Sequence, residues 1–130
     1  MVEPKMSGDD ALRRARLARD EVASGRSAAR GAEGGEAIKK IPPMIMANGL
    51  LATLAFSMEP RREGYASIFS ALARHLASES IDITPGVADA SSLIRKLTES
   101  DSATLKLATA EALEWLGYAR RFVKPPEKKP

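Results

Sequence analysis

What this chain lacks narrows the field first. It has no cysteine, so neither a disulfide framework nor a thiolate metal site can be built, and a reducing compartment is the default. It has one histidine, His75, and a metal site or catalytic dyad would need further ligands or a nucleophile beside it. His75 is therefore expected to be structural or solvated, flanking an apolar stripe and facing Glu79 one turn on. Aromatic residues make up only 5 % of the 130 positions and fall mostly on faces that read as core, which argues against recognition of bases by stacking. No long apolar run spans a membrane: the uncharged stretch between Lys40 and Glu59 supplies about 15 helical residues, short of the roughly 20 required, and carries Asn48 and Gly49 in its middle. No apolar h-region follows Met1-Val2-Glu3-Pro4-Lys5, so no secretory signal is expected. A cytoplasmic protein with neither a membrane partner nor a small-molecule substrate is the expectation.

What is present is helical periodicity. The length suits one domain with a single core, and the apolar spacing throughout is that of helices, which gives an all-α, single-domain bundle of about five helices around a buried central helix. Residues 1–8 show no periodicity and read as a disordered tail; residues 9–123 form the bundle, with a Gly-rich flexible segment at 24–35; residues 124–130, with Pro125 and Pro126, form a basic C-terminal tail. A first helix begins after Asp9 and Asp10, whose carboxylates stand four residues before Arg13 and Arg14, and its thin stripe of Leu12, Ala15, Ala18 and Val22 places it at the edge of the core.

The central helix is expected to start at Pro43, which loses no intrahelical bond as a first residue, and to end before Pro60. Its apolar residues, from Met44 to Met58, lie all round the cylinder, so burial on every side is predicted. Gly49 would then admit a neighbouring helix, and Asn48 would need an internal hydrogen-bond partner. An amphipathic helix over 65–79 follows, with Tyr65, Ile68, Phe69, Leu72, Ala73 and Leu76 on its inner face. A short helix over 89–99 turns Leu93, Ile94 and Leu97 inward. A last long helix, capped at Ser100-Asp101-Ser102, buries Leu105, Ala108, Ala112, Trp115, Leu116, Ala119 and Phe122.

Little here supports catalysis. Glu111 and Glu114 are three apart on one helix, but Glu114 points away from the apolar stripe and Glu111 lies at its margin, so both read as solvated or salt-bridged. The Gly-rich segment ends in no Gly-Lys-Ser/Thr and follows no strand, which excludes a phosphate loop. No catalytic residue, cofactor or metal is predicted. Binding remains. Lys and Arg number 20 against 17 Asp and Glu, a net charge of +3, and the cations cluster at Arg13 to Arg19, Arg26 to Arg30, Lys39/Lys40, Arg61/Arg62 and Arg120 to Lys129. Such clusters suit contact with a phosphate backbone rather than with bases.

Two stretches carry a family resemblance. Lys39-Lys40-Ile41-Pro42-Pro43-Met44-Ile45 with Asn48-Gly49-Leu50 and Leu54-Ala55-Phe56, and then Thr109-Ala110-Glu111-Ala112-Leu113-Glu114-Trp115-Leu116 with Arg120-Arg121-Phe122, resemble the small all-helical subunit of the type III-B CRISPR effector, the Cmr complex. The segment before Glu36 departs from that family, whose lead-in is a more continuous helix with an aromatic residue. The resemblance implies a non-catalytic subunit, several copies of which stack into a minor filament beside the backbone subunits that hold guide RNA, lining the groove where target RNA pairs with the guide. It makes Lys39, Lys40, Arg120 and Arg121 the candidate RNA-facing residues and gives Pro42, Asn48, Gly49 and Trp115 to the fold. The alternative is a helical scaffold whose basic residues meet acidic protein surfaces and never touch RNA. A stand-alone nucleic-acid-binding regulator ranks below both, because no helix-turn-helix with a basic recognition helix is evident.

Overall fold

The computed structural model describes Leu12, Arg16 and residues 34–122, with side chains from 37 to 121 among the latter. Among the described residues five helices can be given bounds, in order α1 (Gly34–Asn48), α2 (Leu50–Ser57), α3 (Glu63–Ala77), α4 (Ala90–Thr98) and α5 (Ser102–Phe122). No strand occurs among the described residues, and the all-α bundle is as expected. The two tails, most of the predicted first helix and residues 24–33 lie outside the described residues. Leu12 and Arg16 are helical and exposed, and Gly34 and Gly35, assigned above to the flexible segment, already belong to α1.

The expected helix from Pro43 to Met58 is in fact two. α1 begins nine residues before Pro43 and carries Pro42 and Pro43 inside it, where each lacks the N–H that would bond the carbonyl four residues back. Tertiary packing overrides that local penalty: Ala37, Ile38, Ile41 and Ile45 are all at most 3 % exposed, an inward row at helical spacing. The helix then stops at Gly49, whose φ of 90° and ψ of 163° belong to glycine, and α2 starts at once. Gly49 holds both pieces together, because its N–H donates to Ile45 O at 2.7 Å while its carbonyl accepts from Thr53 N at 3.3 Å and Thr53 Oγ1 at 2.9 Å.

Splitting the segment also exposes part of it. Pro43, Ala47, Asn48, Ala52 and Ala55 are exposed, Met46 is 79 % exposed and Met58 47 %, so burial on every side does not hold. Asn48 faces water and needs no internal partner. Nor does Gly49 admit a neighbouring helix: a Cβ there would meet nothing within 4 Å, and its backbone angle alone calls for glycine. A charge-free segment is not necessarily a buried one when its residues are small or at a break.

The buried central helix is α3. It packs against α1, α2, α4 and α5, and Ile68, Phe69, Ala71, Leu72, Ala73 and Leu76 are at most 1 % exposed. Ser67, Ser70, Arg74 and Ser78, off that inner face, are half-buried by the surrounding helices. Ser70 Oγ accepts from Ala90 N at 3.1 Å, which ties the start of α4 to the middle of α3. α4 is fixed by a capping box in which Ser92 N donates to Asp89 Oδ1 at 2.8 Å and Asp89 N donates to Ser92 Oγ at 3.2 Å. Leu93 and Leu97 face inward as the spacing requires. α5 buries Ala108, Ala112, Trp115, Leu116 and Ala119, and Leu105 packs against their edge. Each fully buried Leu, Ile or Phe contributes roughly 1.5–3 kcal/mol relative to exposure.

Candidate nucleic-acid interface

The inward row of α1 at 37, 38, 41 and 45 leaves Lys39 and Lys40 on its outer face, both exposed. On α5 the inward row ends at Ala119, and Arg120 and Arg121 are exposed in the last turn, where they also complement the negative pole of the helix. α1 packs on α5, so the two pairs of cations stand on adjoining helices. No described aromatic side chain is exposed: Tyr65, Phe69 and Trp115 are buried, and Phe56 and Tyr118 are half-buried. Whatever these cations meet, the described surface offers no platform on which a base would stack.

The turn between α2 and α3 holds a further basic pair, but the chain itself engages one of its members. The Arg62 guanidinium lies over the Phe56 ring at 4.8 Å, and that ring meets Tyr65 edge-on at 5.2 Å between centroids. Cation–π contact of this kind is worth about 0.5–1 kcal/mol at an accessible site. Arg61 remains exposed, with a left-handed φ of 68°, between the exposed carboxylates of Glu59 and Glu63.

Two residues depart from their expected places. His75, read as structural or solvated, is structural but faces Glu111 and not Glu79, and Glu111, read as solvated or salt-bridged, is salt-bridged inside the bundle and not at a stripe margin. They meet inside the bundle, His75 Nε2 to Glu111 Oε2 at 2.7 Å, with both residues about 95 % buried, and the imidazole packs over Trp115 with ring centroids 5.8 Å apart. The pairing joins α3 to α5 across 36 residues of sequence, a separation at which spacing carries no signal. Glu111 is thereby spent in the interior while Glu114 stays exposed, so the two glutamates do not form a paired-carboxylate site. Among the described residues no three His, Cys, Asp or Glu side chains converge as metal ligands, and no helix is long and apolar enough to cross a membrane.

Two open depressions border α5. One, of about 560 Å³, lies between Leu51 and Ala52 of α2 and Leu105, Thr109 and Leu113. The other, of about 650 Å³, lies between the loop after α3 and the outer face of α5, and Glu111 forms part of its wall.

The sequence matches the model of the CRISPR-associated protein family Cas_Cmr5 over residues 11–125, a span that contains every described helix. The chain belongs to that family. Comparison with curated proteins and with solved structures returned no match. Cas_Cmr5 membership makes it a small subunit of the type III-B Cmr complex, in agreement with the two resembling stretches. In this Cas_Cmr5 chain the first stretch occupies α1, the Gly49 break and α2, and the second occupies α5.

Proposed function

We propose that this Cmr small subunit is non-catalytic and lines the groove in which target RNA pairs with guide RNA, touching phosphates through Lys39, Lys40, Arg120 and Arg121 and contacting backbone subunits and further copies of itself. The observation that carries this reading is the exposure of all four cations on two helices packed against each other, in a chain of the Cmr small-subunit family. The lack of exposed aromatic rings favours contact with phosphates over contact with bases. His75 and Glu111 serve the fold: the Nε2 that a general base would use is bonded to Glu111, and Nδ1 is buried with no partner.

Changing the four cations to glutamate tests the reading. None of the four belongs to the inward rows, so helical circular dichroism and incorporation into the Cmr complex are expected to be unchanged. Target affinity of the assembled complex is expected to fall at least about tenfold, or about 1.4 kcal/mol. The deficit should shrink at high salt, since exposed charges are screened. A folded, incorporated variant that binds target as wild type does would remove these residues from the RNA groove. The second reading, a scaffold without RNA contact, is favoured by the exposed apolar side chains of Met46, Met58 and Leu107. Failure of the variant to incorporate would support it.

A further inference from the structure

The outer face of α1 carries cations and, among them, one group of the opposite character. Lys39, Pro43 and Met46 follow one another at steps of four and three residues, all exposed, on the side of the helix away from the buried row at 37, 38, 41 and 45. A helical carbonyl points along the axis toward the N–H four residues on, so the Lys39 carbonyl lies under Pro43 on this outer face. It finds no N–H there. Its α-helical partner would be residue 43 and its 3₁₀ partner residue 42, and both are prolines. Ile38, one residue earlier, has the Ile41 N–H within 3₁₀ reach, and Lys40, one residue later, has that of Met44 at α-helical spacing. No group of another described element bonds the Lys39 carbonyl either. The double proline thus leaves one backbone acceptor open to the outside, on a residue whose own ammonium group is a candidate phosphate contact.

We infer that the Lys39 carbonyl accepts a hydrogen bond from a ribose 2′-hydroxyl of target RNA, so that this face of α1 tells RNA from DNA. This rests on the proposed lining of the groove and adds what the cations there do not supply, since lysine and arginine bind the phosphates of either nucleic acid alike. A carbonyl only accepts, and the phosphate and ring oxygens of a sugar–phosphate backbone only accept as well. The 2′-hydroxyl is the one donor. A DNA strand held against this face by Lys39 and Lys40 would cover the carbonyl and give it nothing, and a polar group deprived of water without a partner costs more than its hydrogen bond contributes.

A cycle between this carbonyl and the 2′ position tests the assignment, read as target affinity of the assembled Cmr complex. Pro43→Ala restores the N–H that closes the Lys39 carbonyl inside the helix and leaves all four cations in place. Pro42→Ala, whose restored N–H serves the Ile38 carbonyl, is the control. Alanine is the better helix former at both places, so circular dichroism and incorporation should be retained. Target RNA is compared with the same strand carrying 2′-fluoro groups, which cannot donate yet keep an RNA-like sugar pucker. Wild type and Pro42→Ala should bind the 2′-fluoro strand at least about threefold more weakly than RNA, a loss of the size one hydrogen bond gives. In Pro43→Ala that penalty should shrink at least about threefold, through weaker binding of RNA. No penalty in wild type, an equal penalty in Pro43→Ala, the same reduction from Pro42→Ala, or a Pro43→Ala chain that no longer incorporates, which would set the carbonyl against protein, would each overturn the assignment. Should it fail while exchange of the four cations for glutamate still weakens target binding, the groove reading stands without it; should that exchange leave affinity unchanged, the groove reading falls and takes this assignment with it.

Discussion

Inside the bundle a carboxylate and an imidazole lie 2.7 Å apart with almost no water access, and this pair is where a single residue matters most. Removing Glu111 leaves the imidazole buried without a hydrogen bond, which is costlier than the pair is stabilising. Glu111→Ala is therefore expected to lower stability by about 3 kcal/mol in urea unfolding. A double-mutant cycle with His75→Ala should show coupling of about 1–3 kcal/mol, because the imidazole, once free of Glu111, loses its only hydrogen bond. Strictly additive losses would mean that the contact contributes nothing of its own. Trp115, 1 % exposed against the same imidazole, closes this site from one side.

At the scale of elements, stops and starts decide the architecture. Gly49 separates α1 from α2 with a φ of 90°, and space around it is open, so the whole cost of a side chain there is backbone strain. Gly49→Ala is expected to destabilise by about 1–2 kcal/mol. An unchanged urea midpoint would show that the break needs no left-handed residue. The start of α4 depends on the Asp89 carboxylate, which is held below its ordinary range first by the backbone N–H of Ser92, then by the Ser92 hydroxyl, against a smaller opposing effect of burial and with the smallest contribution from Arg95. Asp101 at the start of α5 is lowered in the same way by Thr104. A carboxyl whose pKa is depressed on folding stabilises the fold above its unfolded pKa, and that stabilisation is lost as pH falls through the folded value. The melting temperature should accordingly decline from about pH 5 to about pH 2. Asp89→Ala should cost about 1 kcal/mol at neutral pH and make that decline shallower. A decline equally steep in the variant would place the acid sensitivity elsewhere.

For the molecule as a whole, a net charge of +3 and the lack of exposed described aromatic rings bound the affinity for nucleic acid that the proposed role calls for. The isolated chain is expected to bind single-stranded RNA weakly and without sequence preference. The logarithm of its affinity should fall with the logarithm of salt concentration by about 0.7 per phosphate neutralised. Fluorescence anisotropy on RNAs of different sequence would check this, and tight, selective, salt-insensitive binding would point to a regulator instead. Weak binding by one copy is compatible with the proposed role, in which adjacent copies in the complex would raise the effective concentration of cations along the RNA.

The periodic helices were legible in the residues. The inward faces of α3, α4 and α5 follow from apolar spacing, Asp101 announces the capped start of α5, and the two stretches from Lys39 to Phe56 and from Thr109 to Phe122 point to the family. Those properties are local, carried within a turn or two of helix. The rest depended on what packs against what. Pro42 and Pro43 read as a helix start because their own chemistry favours it, and only the burial of Ala37, Ile38 and Ile41 extends α1 through them. Composition made the 44–58 segment look like the centre of the core. The tertiary structure assigns that place to α3, since a helix is buried by the number of neighbours around it and not by its own apolar content. His75 and Glu111 could each have been read as solvated, and they are inside because the Nε2 of one bonds the carboxylate of the other across two helices, a compensation that exists only once the chain has folded.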